Sequence, residues 1–326
     1  MSQSLISIII PTYNRGELLE AALRSVLAQT YRCWQLIVID DGSVDDTRER
    51  VRRFCQTHEV DIEYQYQANR GQAAARNAGL RRCRGEYVAS LDSDDEWHPD
   101  FLAASLAQLQ KHDLDFVFLN WTGTYDAEGS APFFAQPARR RAYCTQADGE
   151  WWLLGPAQLR QLATETCPAP SSALVVRRTA LVAGWNEQMR IADDWCLLLD
   201  MVLSRPCRAA FTLTPHWLKH VHDTNIYDGR FDLKLIKDLG LHDERLMARR
   251  FRPQLRPLEK RRFRQRLAMH YFNFMCLNRV NGPSWVSTLS HAGRAFYLAP
   301  VLTVQAFFNR GRVLLRKPPA GAQNPF

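Results

Sequence analysis

Over the first 120 residues, short runs of consecutive apolar residues alternate with stretches whose apolar positions recur every three or four residues. Leu5 to Ile10 is a β-branched run closed by Pro11, and Leu18, Leu19, Ala22, Leu23, Val26 and Leu27 follow at helical spacing. The same alternation predicts further strands at 35–39, 62–66, 86–91 and 116–119. It predicts helices at 46–57, 71–82 and 99–111, the last opened by Pro99. Repetition of this unit implies an α/β fold, a Rossmann-like, mostly parallel sheet with helices on both faces. From about 120 to 225 the pattern loses regularity and gains Trp, Pro and Tyr, as suits a region that shapes a cleft, and beyond about 230 it reads as helix. Two parts are therefore expected. Residues 1–230 form the main domain, with halves at 1–120 and 121–230, and residues 231–326 form a helical C-terminal extension.

Charge sharpens that division. The chain is formally +8, yet residues 249–317 carry fifteen Lys or Arg against Glu259 alone, so the remainder is net acidic. A basic, helical C-terminal block fits a polyanion such as anionic lipid headgroups, nucleic acid or an acidic saccharide. Within it, Phe296, Tyr297, Leu298, Phe307 and Phe308 accompany the arginines. That mixture suits either an interfacial helix or apolar burial against another surface. No run reaches the roughly 18 apolar residues of a membrane span, and Ala295 to Phe308 is broken by Pro300 and Gln305. The eight cysteines are scattered without a CxxC pair or metal-type spacing. Together with the lack of a secretory pattern at Met1 to Leu5, this predicts reduced thiols and a cytoplasmic location.

In open α/β sheets ligands sit at the carboxyl ends of strands, and three such ends are strongly polar here. They are Thr12-Tyr13-Asn14, Asp40-Asp41-Gly42-Ser43 and Asp92-Ser93-Asp94-Asp95. Carboxylates two residues apart, as in Asp92 and Asp94, offer hard oxygen ligands for Mg²⁺ or Mn²⁺. A solvated acidic turn is the alternative for these residues, and an Asx turn is the alternative for Asp40-Asp41. Asn69, Gly71 and Arg76 mark a helix start with basic residues, either a phosphate cradle or an ordinary cap with a solvated face. A third acidic element, Asp193-Asp194-Trp195, offers a general base or a helix cap. Trp151, Trp152 and Pro168 to Ser172 offer an acceptor-side stacking wall, with core packing as the alternative for at least one tryptophan. No GxGxxG follows the first strand, which argues against dinucleotide-dependent hydride transfer.

Five elements, in order over about 190 residues, resemble family 2 of the inverting glycosyltransferases, which have the GT-A fold. They are Ser7 to Arg15, Val38 to Thr47, Asn69 to Gly79, Leu91 to Asp95, and Gly184 to Glu187 leading into Ala192 to Trp195. The resemblance implies transfer of a sugar from a nucleoside diphosphate donor, with uracil the expected base, to a hydroxyl of a glycan or lipid-linked acceptor. It implies that Pro11, Thr12, Tyr13, Asp40 and Asp41 line the nucleoside, and that Asn69, Gly71 and Arg76 close that pocket. Asp92 and Ser93 would meet the ribose or donor sugar, and Asp94 would hold Mn²⁺ or Mg²⁺. Asp194 would be the catalytic base, with Asp193 standing where the family usually has Glu, and both would lie with Trp195 on the acceptor side. A family His before an Asn corresponds to His222 and Asn225, with His220 competing, as a further metal or diphosphate contact.

On this reading the expected setting is surface polysaccharide synthesis at the cytoplasmic face of a membrane, with residues 249–317 as the contact. The rivals are a sugar-nucleotide nucleotidyltransferase, which would want a Gly-rich phosphate loop in place of Pro11 to Asn14, and a basic nucleic-acid-binding protein. Acidic strand ends would repel a nucleic-acid backbone, so no nucleic acid is expected. The sequence leaves oligomeric state open, a homo-oligomer included.

Overall fold

A computed structural model describes residues 3–123, 142–144, 146–222, 233–281 and 285–306. The chain divides into two compact units, Met1–Glu187 with Asp193–Thr224, and Gln188–Ala192 with Asn225–Phe326. The second unit thus begins before the expected residue 231. It also takes in five residues from the middle of the chain, a membership that depends on spatial contact and has no sequence pattern.

In the first unit ten strands form one sheet among the described residues. They are β1 Ile6–Thr12, β2 Trp34–Asp40, β3 Glu63–Tyr66, β4 Tyr87–Ser90, β5 Asp95–Trp97, β6 Phe116–Gly123, β7 Gln146–Asp148, β8 Trp151–Leu154, β9 Leu174–Arg177 and β10 Ala209–Lys219. The order is β3-β2-β1-β4-β9-β6-β10-β8-β7, with β5 on β10. Parallel pairing joins β1 to β2 and β4, β2 to β3, and β6 to β10. Strand β9 runs antiparallel between β4 and β6, and β8 and β5 run antiparallel to β10. The sheet is therefore mostly parallel in direction, with three reversed strands.

Every residue of β1 is buried, which is why it reads as an unbroken apolar run and not as an alternation. Each fully buried Ile in it contributes roughly 1.5–3 kcal/mol. The helices α1 Gly16–Leu27, α2 Thr47–His58, α3 Gln72–Leu80 and α4 Phe101–Lys111 follow their strands as expected, within two residues. Helix α4 starts at Phe101, so Pro99 lies before it, where its carbonyl accepts the Thr30 N–H at 2.8 Å. Helix α3 packs so closely on β1 that a β-carbon at Gly79 would run into the Ile9 side chain. Helices α5 Pro156–Glu165 and α6 Asp193–Ser204 complete the unit's longer helices. The parallel register sets Thr12 beside Asp40 and Asp40 beside Tyr66, gathering these strand ends on one edge.

The second unit is helical, with a π-helical stretch Ile236–Asp243 leading into α7 Glu244–Arg250, α8 Pro257–Asn281 and α9 Trp285–Leu298. Tyr271, Phe272, Met275 and Ala295 form its core. Buried Asp243 accepts the backbone N–H groups of Arg190, Ile191 and Ala192 at 2.8 to 3.1 Å, which ties that segment into this unit. Buried Glu244 is held by Arg266 and His270 at 3.0 and 3.1 Å. Burial works against its ionisation, but His270 and Arg266 outweigh this and hold it below the usual range. No helix of the described residues is long and apolar enough to cross a membrane.

Candidate active site

The loops after β1 and β2 are sewn together. Asn14 donates its N–H to Ser43 Oγ at 2.9 Å and accepts the Val44 N–H at 2.8 Å, and the Asp41 N–H meets the Thr12 carbonyl at 2.8 Å. Asp40 is buried and accepts the Ser43 N–H, three residues on, at 2.8 Å and the Tyr64 hydroxyl at 2.5 Å, which pins the turn after β2. Burial, and then the hydrogen bond to Asp40 with its charge, raise the Tyr64 phenol above its ordinary value. Asp41 accepts from Gln67 Nε2, Arg70 N and Gly71 N at 2.7 to 2.9 Å. These three bonds fix the 67–71 loop, and a carboxylate has roughly four acceptor positions, so one remains. Pro11 and Thr12 are buried and Thr12 Oγ1 has no hydrogen-bond partner among the described residues, while Tyr13, Asn69 and Gly71 are exposed.

After β4, Asp92, Asp94 and Asp95 bring carboxylate oxygens within 4.8 Å of one another. Asp94 Oδ2 lies 2.6 Å from Arg15 Nη1 and 2.9 Å from His222 Nε2. The rival histidine, His220, pairs with Glu96 at 2.7 Å, so His222 is the one at Asp94. Asn225, Phe307 and Phe308 lie outside the described residues. Burial, and then the charges of Asp92 and Asp94, push the Asp95 carboxyl well above the usual range. Such crowding is relieved by a cation, and hard carboxylate oxygens suit Mg²⁺ or Mn²⁺, so the donor set fits such an ion. Ser93 is buried beneath this turn.

Arg76 corrects an expectation. Expected either in a phosphate cradle or on a solvated basic face, it is instead 1% exposed and clamped among carboxylates, with 2.6 Å bonds to Asp92 Oδ1 and Asp193 Oδ2 and Asp194 Oδ1 at 3.8 Å. Burial opposes its charge, but Asp92, Asp193 and Asp194 outweigh that and raise it further. Its guanidinium in turn overcomes burial at Asp92 and holds that carboxyl below its usual value. A basic residue one turn into a helix looks like a phosphate binder until its distant partners are known.

Asp193 is buried and also accepts from Gln72 Nε2 at 2.8 Å. Burial, then Asp194, push it up to about 7 against the pull of Arg76. Asp194 is the more accessible, with its side chain 16% exposed against 1%. Ser171 holds it twice, donating its N–H to Oδ2 at 3.0 Å and its hydroxyl to Oδ1, while Trp185 Nε1 donates to Ser171 Oγ at 3.0 Å. Next to it, Ser172 Oγ accepts the Asp92 N–H at 3.1 Å and donates to Asp95 at 2.8 Å. One short turn thus touches both acidic clusters.

The sequence pattern puts Ser171 and Ser172 in an acceptor wall and gives Arg15 no separate role. A reversed strand begins, rather than ends, at this edge, so its polar residues there do not stand just past an apolar run. Both serines lie in the short turn Ser171–Ala173 that leads into β9. Of the residues expected on the acceptor side, Trp151 and Trp195 are buried, the latter donating to the Ala163 carbonyl at 2.7 Å, so both pack the core, and Trp152 is half-buried.

Residues 7–182 match the model of glycosyl transferase family 2, more than half of the chain. The chain belongs to that family. A stretch of about 120 residues resembles several curated proteins. It is 37% identical over 121 residues to the UDP-Glc:alpha-D-GlcNAc-diphosphoundecaprenol beta-1,3-glucosyltransferase WfgD of Escherichia coli, covering 37% of this chain and 47% of that protein. It is also 37% identical over 119 residues to TuaG of Bacillus subtilis, named for teichuronic acid biosynthesis, covering 36% of this chain and 47% of that protein. The chain thus matches about half the length of these relatives. Among solved structures, S. aureus TarS in complex with UDP-GlcNAc has a TM-score of 0.64 at 17% identity, covering 91% of this chain and 82% of that one. The mannosyltransferase PcManGT of Pyrobaculum calidifontis, with GDP-Man and Mn²⁺, has a TM-score of 0.56 at 20% identity, covering 94% and 84%. At these identities the likeness establishes the GT-A fold and no more.

Proposed function

We propose that this family 2 protein is an inverting glycosyltransferase that moves a sugar from a UDP-sugar to a hydroxyl of a glycan or lipid-linked acceptor in surface polysaccharide synthesis. The observation that carries the proposal is the Arg76 clamp, which brings the acid after β4 and the acids opening α6 to one place although a hundred residues separate them. A donor pocket and a base are useful only side by side. Donor class and acceptor class are suggested by WfgD, whose name specifies UDP-Glc and a diphosphoundecaprenol acceptor.

Asp194 takes the proton of the acceptor hydroxyl as its oxygen attacks the anomeric carbon, and the bond to the diphosphate breaks with its electron pair leaving on the nucleotide. Attack from the opposite face inverts the centre in one displacement. Ser171 fixes the direction of Asp194, whose side chain stays partly accessible. Arg76 orients Asp92 toward the donor side while supplying the positive charge that keeps several acids folded together. A divalent ion held by Asp94, with Asp92, Asp95 and His222 nearby, would supply Lewis-acid stabilisation of the leaving diphosphate. The nucleoside would lie over Pro11, Thr12 and Tyr13, with the remaining acceptor position of Asp41 toward the base.

Exposed Phe296, Tyr297 and Val301 in the second unit, set in a strongly basic stretch, support peripheral contact with an anionic membrane, where a lipid-linked acceptor would be found. The decisive experiment is a thermal-shift screen of nucleotide sugars with Mn²⁺ or Mg²⁺. Selective stabilisation by one UDP-sugar, dependent on the ion, is expected. Equal response to every nucleotide sugar, or none, would remove the donor assignment.

A further inference from the structure

Two arginines hold the carboxylates after β4, and they are built differently. Arg76 is sealed, its side chain 2% exposed and bonded to Asp92 and Asp193 at once. Arg15 stands on the solvent side, 22% exposed, with Nη1 2.6 Å from Asp94 Oδ2, the same oxygen that His222 approaches. The backbone around Arg15 is fixed, since Asn14 is bonded to Ser43 and Val44 and the Gly16 N–H donates to Asp45 at 3.2 Å. Only its side chain needs to move.

A guanidinium carries a permanent charge and only donors. On Asp94 Oδ2 it neutralises the carboxylate as a metal ion would, and it competes with a metal ion for the same lone pairs, because two cations crowded on one weakly solvated oxygen repel strongly. The Asp94 side chain is 5% exposed, so water screens that repulsion poorly. A diphosphate, however, offers Arg15 a second anion whose geometry matches its planar fork. We propose that Arg15 holds the metal's place on Asp94 and releases it to the ion only when a nucleoside diphosphate takes the guanidinium, so that metal and donor bind as a pair. The inference rests on Asp94 being the metal carboxylate, as proposed above. It goes further by making the protein resist metal without donor. Linkage requires the coupling to be mutual, with the nucleotide tightening the metal by the same factor as the metal tightens the nucleotide.

The test is calorimetric titration of Mn²⁺ into the full-length wild type, Arg15→Gln, Arg15→Lys and Asp94→Asn, each with and without saturating UDP, on samples whose melting curves show them folded. Wild type should bind Mn²⁺ weakly alone and about tenfold or more tightly with UDP. Arg15→Gln should bind Mn²⁺ alone about tenfold more tightly than wild type does, with the UDP enhancement reduced to match. Arg15→Lys keeps a charge on Asp94, so it should stay near wild type without UDP. Arg15→Gln binding Mn²⁺ no more tightly than wild type would overturn the placeholder role, even where Asp94→Asn abolishes binding and the metal assignment stands. Undiminished binding by Asp94→Asn would overturn the metal assignment itself, and the placeholder with it.

Discussion

The acids after β4 and the acids opening α6 are the same residue type in nearly the same spacing, yet they sit in different surroundings and the proposed mechanism gives them different work. After β4, Asp92, Asp94 and Asp95 crowd together, with Arg76 on Asp92, Arg15 on Asp94 and the Ser172 hydroxyl on Asp95. At α6, Asp193 takes the guanidinium and the amide of Gln72, while Asp194 receives its two hydrogen bonds from Ser171, a neutral partner. On the proposed mechanism Asp92 and Asp94, each in a close ion pair, face the donor, and Asp194, hydrogen-bonded by Ser171 with Arg76 at 3.8 Å, accepts the proton. The environment, and not the acid, assigns the role.

That contrast breaks most visibly at Asp194. Asp194→Asn keeps shape and most hydrogen bonding but loses the proton acceptor, so turnover should fall by roughly two to four orders of magnitude. UDP-sugar affinity, measured by calorimetry, should stay within about twofold, because the donor side is untouched. Turnover near wild type would show that Asp194 is not the base.

The next largest effect belongs to the other cluster. Asp94→Ala should erase the gain in UDP affinity that Mn²⁺ brings, by at least the roughly 10–100-fold that losing even an outer partner of a metal costs. Titrating UDP with and without Mn²⁺ reads it directly. A variant that still responds to Mn²⁺ as wild type does would place the ion elsewhere and dissolve the contrast between the clusters.

How much of the site is legible in the sequence depends on the direction of each strand. Asp40, Asp41, Asp92 and Asp94 stand just past an apolar run, and they share one edge because β2 and β4 are parallel to β1. The same rule does not reach Ser171 and Ser172, which precede a reversed strand. Arg76 is visible as a basic residue, but a buried cation and a phosphate contact differ only in partners 16 and 117 residues away. Segment 188–192 joins the second unit through Asp243, a contact that leaves no local pattern. Propensity and periodicity see neighbours along the chain, whereas these features are set by neighbours across it.

Ser171 sharpens the comparison from the base side. Ser171→Ala removes the hydroxyl bond to Asp194 and the acceptor for Trp185 but keeps the backbone N–H bond. A positioning role predicts about a tenfold fall in kcat, the loss of roughly one hydrogen bond, with KM for the donor unchanged. Restoration by Ser171→Thr, which keeps the hydroxyl, separates this from a packing defect. A fall confined to donor KM would mean that Ser171 serves the nucleotide instead.

The smallest effect concerns Asp193 and pH. Burial and the neighbouring Asp194 raise this carboxyl from an ordinary 3.8 to about 7 despite Arg76. Between about pH 4 and 7 the folded protein therefore keeps a proton that the unfolded chain has released. Folding takes up a proton there, so this group's stabilisation is fully present below about pH 4, is lost as pH climbs, and is gone above about 7. In Asp193→Asn the site carries no titrating group, and its melting temperature should lack that slope. The wild-type melting temperature should drop relative to the variant between about pH 5 and pH 8, by about 2–4 °C for each kcal/mol of linkage. A difference that stays flat, or that grows in favour of the wild type, would mean that Arg76 and Gln72 keep Asp193 ionised throughout. One guanidinium would then satisfy two full carboxylates, and the two clusters would differ in accessibility alone.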